Sequence, residues 1–391
     1  MPARAVDAAF AHFIASLWPE AQSQGVSRAT FERETRGLEP DLTLPDLVIP
    51  GRTQAPDKGQ AEFIQAPADY VKEPTIERLA AQARKLAAEH KAALAGIERR
   101  FGVPGPVLLA IWGRETAFGT YKLPHDALRV LATQAYLGRR KDQFRTEFVM
   151  ALKMIEEGHA TRADMRSSWA GAMGLTQFLP SEYYKHGQDF DGDGKRDIWR
   201  SVPDALASAA KQLVDKGWQP GQRWAHEVRA PRDVDCTLGD PDRKMPVAEW
   251  IRAGFAPAHD RQIAAVDLRA PASLLLPAGT YGPAFLTPAN YFVIKEYNFS
   301  DLYVLFVGHL SDRISDPRAF ETPWQKVVQL KTAQVERMQR RLTELGYYAD
   351  KIDGKAGMKT RLALGAYQKG NRLKVDCWPT EAVLTHMQAA R

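Results

Sequence analysis

The sequence predicts a mainly helical, α+β fold, and three observations carry that expectation. Apolar residues recur at three-and-four spacing along most of residues 74 to 218. Between Trp224 and Pro288 this period weakens while Pro, Gly and short β-branched pieces increase, which predicts a smaller irregular segment containing strands. After a Pro-containing break from Asp316 to Pro323, residues 331–391 carry a helical pattern of their own, the size of a compact three-helix module.

Taken in order, residues 1 to about 45 read as amphipathic helix punctuated by loop, and Asp41 to Lys58 reads as a connector rich in Pro, Gly and polar residues. Ile76, Leu79, Ala83 and Leu86, then Leu94, Ile97 and Phe101, trace stripes that stop at Gly102, ahead of the Pro104 that introduces the next helix. On that helix Leu108, Ile111, Glu115 and Phe118 share one face, so Glu115 occupies a position the periodicity assigns to the interior. Desolvation there would raise its pKa. A carboxyl held protonated near neutral pH can donate a proton to a leaving oxygen, the acid step of glycosidic bond cleavage. The competing reading is a buried Glu paired with an Arg for structure alone. Helices are expected to about residue 218, and again in the aromatic-rich segment Asn290 to Asp312. The terminal unit places Val335, Met338, Leu342 and Leu345 on one helix, then Gly346, the Asp353-Gly354 turn and Gly357. Leu364 and Tyr367 follow on a second helix, with Leu373, Val375 and Leu384 completing the module. A unit this small is usually a binding appendage.

The chain has 391 residues, 45% of them hydrophobic and 26% charged, ordinary for a globular protein and long enough for two or three domains. A net charge of +6 favours polyanionic partners. The basic residues are interleaved with acids and form no block, which argues against nucleic acid. No apolar run approaches bilayer length, so an integral membrane protein is not expected. The N-terminus shows no basic, apolar and small-residue succession, so a signal peptide is absent from this chain or not recognisable. Cys236 and Cys377 give no metal-ligand spacing and no disulfide framework, leaving a single long-range disulfide open.

A second motif, Ser167 to Ser181, combines small residues at Gly171, Ala172 and Gly174 with a lone amide, Gln177, and a proline turn. The pair Glu-Thr-x-Phe-Gly and Ala-Gly-Ala-Met-Gly-x-x-Gln-Phe-x-Pro-Ser resembles lytic murein transglycosylases of the membrane-bound lytic transglycosylase B type, from about Phe63 to Ile314. The resemblance implies a lysozyme-like catalytic region over residues 1–325, with Glu115 as the catalytic carboxylate. It further implies saccharide-cleft roles for Ser168, Gln177, Arg139, Arg140, Tyr297, Asn298 and Tyr303, with Tyr70 a weaker candidate. Arg and amide groups suit carboxylates and acetamido groups, and Tyr rings suit sugar faces. Ordinary core packing for the tyrosines and a solvated helix end for the arginines are the plain alternatives. Lys211-Gln212 stands where the family commonly has Asn-Tyr, which suggests one aromatic cleft contact is missing.

Asp189 to Asp197 matches the first nine positions of an EF-hand loop, but the twelfth is Arg200 instead of the bidentate Glu. Asp189, Asp191, Asp193, Lys195 and Asp204 are the ligand candidates for a structural Ca2+, with Asp204 the replacement that the resemblance supports. The alternative is an Asp-Gly turn with no ion. Residues 331–391 resemble three-helix peptidoglycan-binding domains through Gln339, Leu342, Gly346, Asp353-Gly354, Gly357, Thr360 and Tyr367-Gln368. Cys377 replaces a usual Gly there, which suggests a last turn built differently, with a bond to Cys236 one way to build it.

The reading is therefore a periplasmic lytic transglycosylase that acts on peptidoglycan glycan strands. It is expected to cleave the MurNAc-GlcNAc β-1,4 bond with 1,6-anhydromuramic acid ends and no cofactor required for the chemistry. A hydrolytic muramidase and a non-catalytic peptidoglycan-binding protein are the alternatives.

Overall fold

The computed structural model describes residues 3–51 and 61–389, so residues 52–60 of the expected connector lie outside the described residues. The chain divides into two compact units. The first comprises Met1–Asp57, Glu89–Phe101 and Ile111–Gln212, and the second Lys58–Ala88, Gly102–Ala110 and Leu213–Arg391. The division falls inside the helix Gly105–Thr116, and the chain between residues 325 and 331 lies within the second unit.

At the centre of the first unit is the helical hairpin Ala127–Leu137 and Lys141–Glu156. Asp126 caps its first helix by accepting from the Arg129 amide. Every residue of that helix except Arg129 and Tyr136 is buried, as a central helix requires. Of its two buried polar side chains, Thr133 donates to Arg129 O at 2.7 Å and Gln134 donates its amide to Pro45 O at 3.0 Å, while Gln134 Oε1 has no hydrogen-bond partner among the described residues. Phe10, Leu17 and Phe31 from the N-terminal helices share this core with Phe144, Phe148, Phe178 and Tyr183. The buried Glu147 carboxylate accepts both the amide (2.8 Å) and the hydroxyl (2.6 Å) of Ser181, fixing the start of the helix Pro180–His186. The expected helical run to residue 218 is interrupted by loops at 157–179 and 187–201, where positive-φ glycines such as Gly158, Gly171, Gly174, Gly192 and Gly194 cannot continue a helix.

In the second unit the helix Glu73–Glu89 is pinned to the helix Asp301–Ser315, since Glu73 bonds His309 Nε2 and Arg313 Nη1, both at 2.6 Å. Burial alone would raise the Glu73 carboxyl, but His309 and Arg313 win and hold it below its usual range. The segment from Trp224 to Pro288 forms the strands the sequence suggests. Five antiparallel strands lie in the order Met245–Pro246, Pro271–Leu275, Ala284–Thr287, His226–Arg229 and Ala256–Pro257, with Leu274 opposite Leu286 and Val228 opposite Ala284. Val228, Trp250, Leu274 and Leu286 form the core beneath them.

The terminal module has its three helices at Thr332–Glu344, Met358–Gly370 and Glu381–Ala389, closed over Val335, Met338, Leu342, Leu364, Tyr367 and Leu384. Buried Gln339 fixes the Asp-Gly turn, accepting from the amides of Asp353 (3.0 Å) and Gly354 (2.8 Å). The module is docked and stapled. Cys236 and Cys377 form a disulfide across 141 residues of chain, and a Cβ on Gly365 would collide with Cys377 Sγ. Buried Asp301 accepts Arg361 from the module at 2.8 Å, and also Lys295 (2.6 Å) and the Tyr291 hydroxyl (2.7 Å). Among the described residues no helix is long and apolar enough to cross a membrane.

Candidate active site

Glu115 lies in the last turn of the helix Gly105–Thr116, whose preceding residues Leu108, Leu109, Ala110 and Ile111 are wholly buried; Glu115 itself is half-buried. The helix stops in a left-handed turn, with Ala117, Phe118 and Gly119 all at positive φ. That turn folds Phe118 back onto Gly113, where a Cβ would lie 2.6 Å from the ring, and sets its ring edge-on to Trp112 at 5.5 Å. The glycine two residues before the acid is thus a packing requirement. Thr116, beside the acid, donates its hydroxyl to Leu175 O at 2.8 Å and accepts the Gly119 amide at 3.1 Å. This part-buried bond ties the acid-bearing turn to the second motif.

The second motif is a tight hairpin. Met173 and Phe178 exchange both backbone hydrogen bonds at 2.8 Å, and Gly174 to Gln177 make the turn between them. Gly174 is at positive φ, and a Cβ there would lie 2.8 Å from Ile198 O. Gln177 is also left-handed, at φ 60°, a conformation costing a non-glycine residue about 1 to 2 kcal/mol; its amide donates to Gly174 O at 3.1 Å. Such strain concentrates at functional sites. Ser168 begins the adjoining loop, its amide donating to Ala172 O at 2.9 Å and its hydroxyl oxygen receiving the Ala170 and Ala172 amides. Beside this junction Thr116, Gly119, Tyr121, Arg166, Leu175 and Trp199 line an open recess of about 620 Å3.

Arg139 and Arg140, in the same unit, are exposed between the hairpin helices and both face Asp46, at 2.9 and 3.9 Å. The other candidates belong to the second unit. Tyr297 and Tyr303 are stacked, with centroids 6.2 Å apart, and Tyr70 meets Phe306, one turn along the same helix as Tyr303, edge-on at 5.9 Å. Tyr303 is only 1% exposed, whereas Tyr297 and Asn298 are half-buried. The Asn298 carbonyl oxygen is buried with no hydrogen-bond partner among the described residues. Gln212, in the departure from the family pattern, is buried on the helix Val202–Asp215, its Oε1 likewise unpartnered. Sequence reasoning did not single out Thr116, although a Thr directly after the acid was visible, nor the left-handed conformation of Ala117, Phe118 and Gln177, which no glycine announced.

In the acidic loop, the carboxylates of Asp189, Asp191, Asp193 and Asp204 offer ligand atoms within 4.8 Å of one another. Asp204 is fully buried and accepts the amides of Phe190 (2.8 Å), Asp191 (3.2 Å) and Asp197 (2.9 Å), so it organises the loop from the following helix. An all-oxygen, carboxylate-rich donor set of this kind fits a hard divalent cation such as Ca2+.

A model of the transglycosylase SLT domain family matches residues 9–312. The chain belongs to this family. A peptidoglycan binding domain matches residues 331–387. Among solved structures, this SLT-family chain is similar to SltB3 from Pseudomonas aeruginosa in complex with NAG-NAM-pentapeptide, at 33% identity and a TM-score of 0.84 over 97% of this chain and 99% of that one. It is also similar to Escherichia coli Slt35 in complex with calcium, at 26% identity and a TM-score of 0.54 over 64% of this chain and 78% of that one. Membrane-bound lytic murein transglycosylase B of Escherichia coli strain K12 is 30% identical over 217 residues, 55% of this chain, and the chain spans 58% of that relative's length. The fold is thus the mainly helical, lysozyme-like SLT fold with a terminal peptidoglycan-binding domain.

Proposed function

We propose that this SLT-family chain is a lytic transglycosylase that cleaves the MurNAc-GlcNAc β-1,4 bond of peptidoglycan and leaves 1,6-anhydromuramic acid ends. The observation that carries the reading is Glu115, half-buried in the last turn of an otherwise buried helix and locked through Thr116 to the strained Gln177 turn. The carbonyl end of a helix disfavours a negative charge, which favours the protonated acid. Glu115 then protonates the glycosidic oxygen and, as carboxylate, takes the proton of the muramyl C6 hydroxyl as that oxygen closes on C1. No water is consumed and no cofactor enters the chemistry. Gln177 and Asn298 orient the sugar and meet charge at the reacting centre, in place of the second carboxylate of the usual glycosidase pair. Ser168, Arg139, Arg140, Tyr297, Tyr303 and Tyr70 complete the saccharide contacts. The SltB3 complexes with NAG-NAM-pentapeptide and NAG-anhNAM-pentapeptide support the substrate and the anhydro product.

Asp189, Asp191, Asp193 and Asp204, with the Lys195 carbonyl, hold a structural Ca2+ that braces the loop, a reading supported by the calcium complex of Slt35. The substrate and the disulfide both favour a periplasmic location.

The test is mass spectrometry of muropeptides released from purified sacculi by the chain and by Glu115→Gln. Anhydromuramyl ends that disappear with Glu115→Gln are expected. Reducing ends would make the enzyme a muramidase, and no release by either protein would make it a binding protein.

A further inference from the structure

The hairpin turn that carries Arg139 and Arg140 is held by a strap without helical structure, residues 39–48. Its fastenings run in order along the helix Ala127–Leu137. Arg129 donates Nε to Glu39 O at 3.0 Å, the Asp41 amide donates to Thr133 Oγ1 at 2.9 Å, Gln134 donates to Pro45 O at 3.0 Å, and the Val48 amide donates to Leu137 O at 2.7 Å. Leu47 bridges Gly138, where a Cβ would collide with Gln134 O. Between the last two fastenings stands Asp46, at φ 64°. Glycine fills such a position without strain, yet the chain places a carboxylate there. Asp46 Oδ1 accepts Arg139 Nε at 2.9 Å, Oδ2 lies 3.9 Å from Arg140 Nη2, and the Arg140 guanidinium lies 5.0 Å over the Phe144 ring. The Asp46 side chain is 22% exposed, whereas the two arginines remain 48% and 50% exposed. Ion pairs this open contribute little to stability. Their effect is on order, because they hold two long side chains that would otherwise sample many rotamers.

We propose that Asp46 is a positioning residue that keeps Arg139, and with it the arginine pair, set to receive a carboxylate of the glycan strand. The inference rests on the saccharide-cleft role given to Arg139 and Arg140 above. An arginine that must be ordered at the moment of binding loses affinity, and Asp46 orders it beforehand. The negative charge of Asp46 acts the other way, since it weakens the pair's attraction for an anion. Solvent screens that repulsion at half-exposed guanidinium groups, so orientation wins. What matters is then the hydrogen bond to Arg139 Nε, which a neutral amide oxygen accepts as well as a carboxylate does.

The test uses the full chain carrying Glu115→Gln, so that nothing is cleaved, and two probes: GlcNAc-MurNAc with its free lactyl carboxylate, and the methyl ester of the same disaccharide. Calorimetry should show the carboxylate form binding about tenfold tighter. Asp46→Gly suits φ 64° and removes the holder without straining the strap; it should weaken the carboxylate form about fivefold and leave the ester within about twofold. Asp46→Asn tolerates the same backbone and keeps an acceptor for Nε, so it should hold binding of both probes within about twofold of the chain with Asp46. Adding Asp46→Gly to Arg139→Gln should weaken nothing further. The proposal is overturned if Asp46→Gly binds the carboxylate form as well or better, which would make the residue a charge and no more. It is equally overturned if Asp46→Gly weakens both probes alike, which would make the strap merely structural, or if Asp46→Asn fails to rescue. A preference lost with Arg139→Gln but kept with Asp46→Gly sinks this proposal alone, whereas a preference that survives Arg139→Gln removes the saccharide role of the arginine as well. Release of anhydromuramyl ends by the chain with Glu115 intact judges the chemistry separately.

Discussion

Thr116 shows how much one hydroxyl can organise. It sits next to Glu115, is 2% exposed, and its bond to Leu175 O couples the acid-bearing turn to the Gln177 turn. Thr116→Val keeps the shape and leaves the part-buried Leu175 carbonyl without this partner. It should destabilise the chain by about 1 to 3 kcal/mol in denaturant unfolding and lower muropeptide release more than that loss of folded protein explains. His226 offers a test of pH dependence. It is buried, its Nε2 has no hydrogen-bond partner among the described residues, and burial, reinforced by Arg223 and Arg261, pushes the imidazole down to about 3. Its 3.7 Å approach to Asp267 is therefore the contact of a neutral ring. Unfolding lets the ring take up a proton below its ordinary value, while the folded protein resists until near 3. Stability should then fall as pH drops from about 6.5, at up to about 1.4 kcal/mol per pH unit from this group, and His226→Gln should flatten that slope in thermal melts.

At the scale of elements, the helices were legible because their periods are local. The stripe through Ile76, Leu79 and Ala83 is buried on the helix Glu73–Glu89, and the terminal stripe through Val335, Met338 and Leu342 is buried on the helix Thr332–Glu344. The loops at 157–179 and 187–201 were not, because their path depends on what approaches each glycine. Gly174 and Gly158 are alike in φ, 74° and 73°, yet a Cβ on Gly174 strikes Ile198 O at 2.8 Å while one on Gly158 meets nothing within 4 Å. Gly174→Ala should therefore destabilise by more than about 2 kcal/mol, and Gly158→Ala by only about 1 kcal/mol, the cost of left-handed backbone alone. Gly158→Ala supplies the baseline for comparing the two by denaturant unfolding. The acidic loop makes a separate prediction. Added Ca2+ should raise the melting temperature and chelation should reverse it, and Asp191→Asn should abolish the shift.

For the whole molecule, the sequence led to a small appendage at the C-terminus but not to its attachment. Cys236 and Cys377 alone could not say whether they pair, and Asp301 and Arg361 become partners only through tertiary packing. The site divides similarly: Glu115 and Gln177 were readable from motif, while the Thr116 bond to Leu175 O joins residues 59 positions apart and gave no periodic signal. Two of the links that dock the module are the Asp301–Arg361 pair and the disulfide. Burial by itself would raise the Asp301 carboxyl, but Lys295 and Arg361 override it and hold it far below the usual carboxylate range. This contribution is fully present above the ordinary Asp value and is lost only as pH falls well below it. Asp301→Asn leaves two cations without their anion and should cost about 3 to 5 kcal/mol. Losing the disulfide, which closes a loop of 141 residues, should cost about 5 kcal/mol on the loop-closure account. Thermal melts of Asp301→Asn, and of the wild type with and without reductant, check both values.

The disulfide also changes what a protease can achieve. The segment between the helix Asp301–Ser315 and the helix Thr332–Glu344 carries Val328 at 75% exposure, an inviting place to cut. Because Cys236 and Cys377 lie on either side of it, a single nick anywhere between them opens the loop without freeing either fragment. A clipped molecule keeps its terminal module covalently attached to the SLT domain, and only where thiols are reduced does that covalent link go.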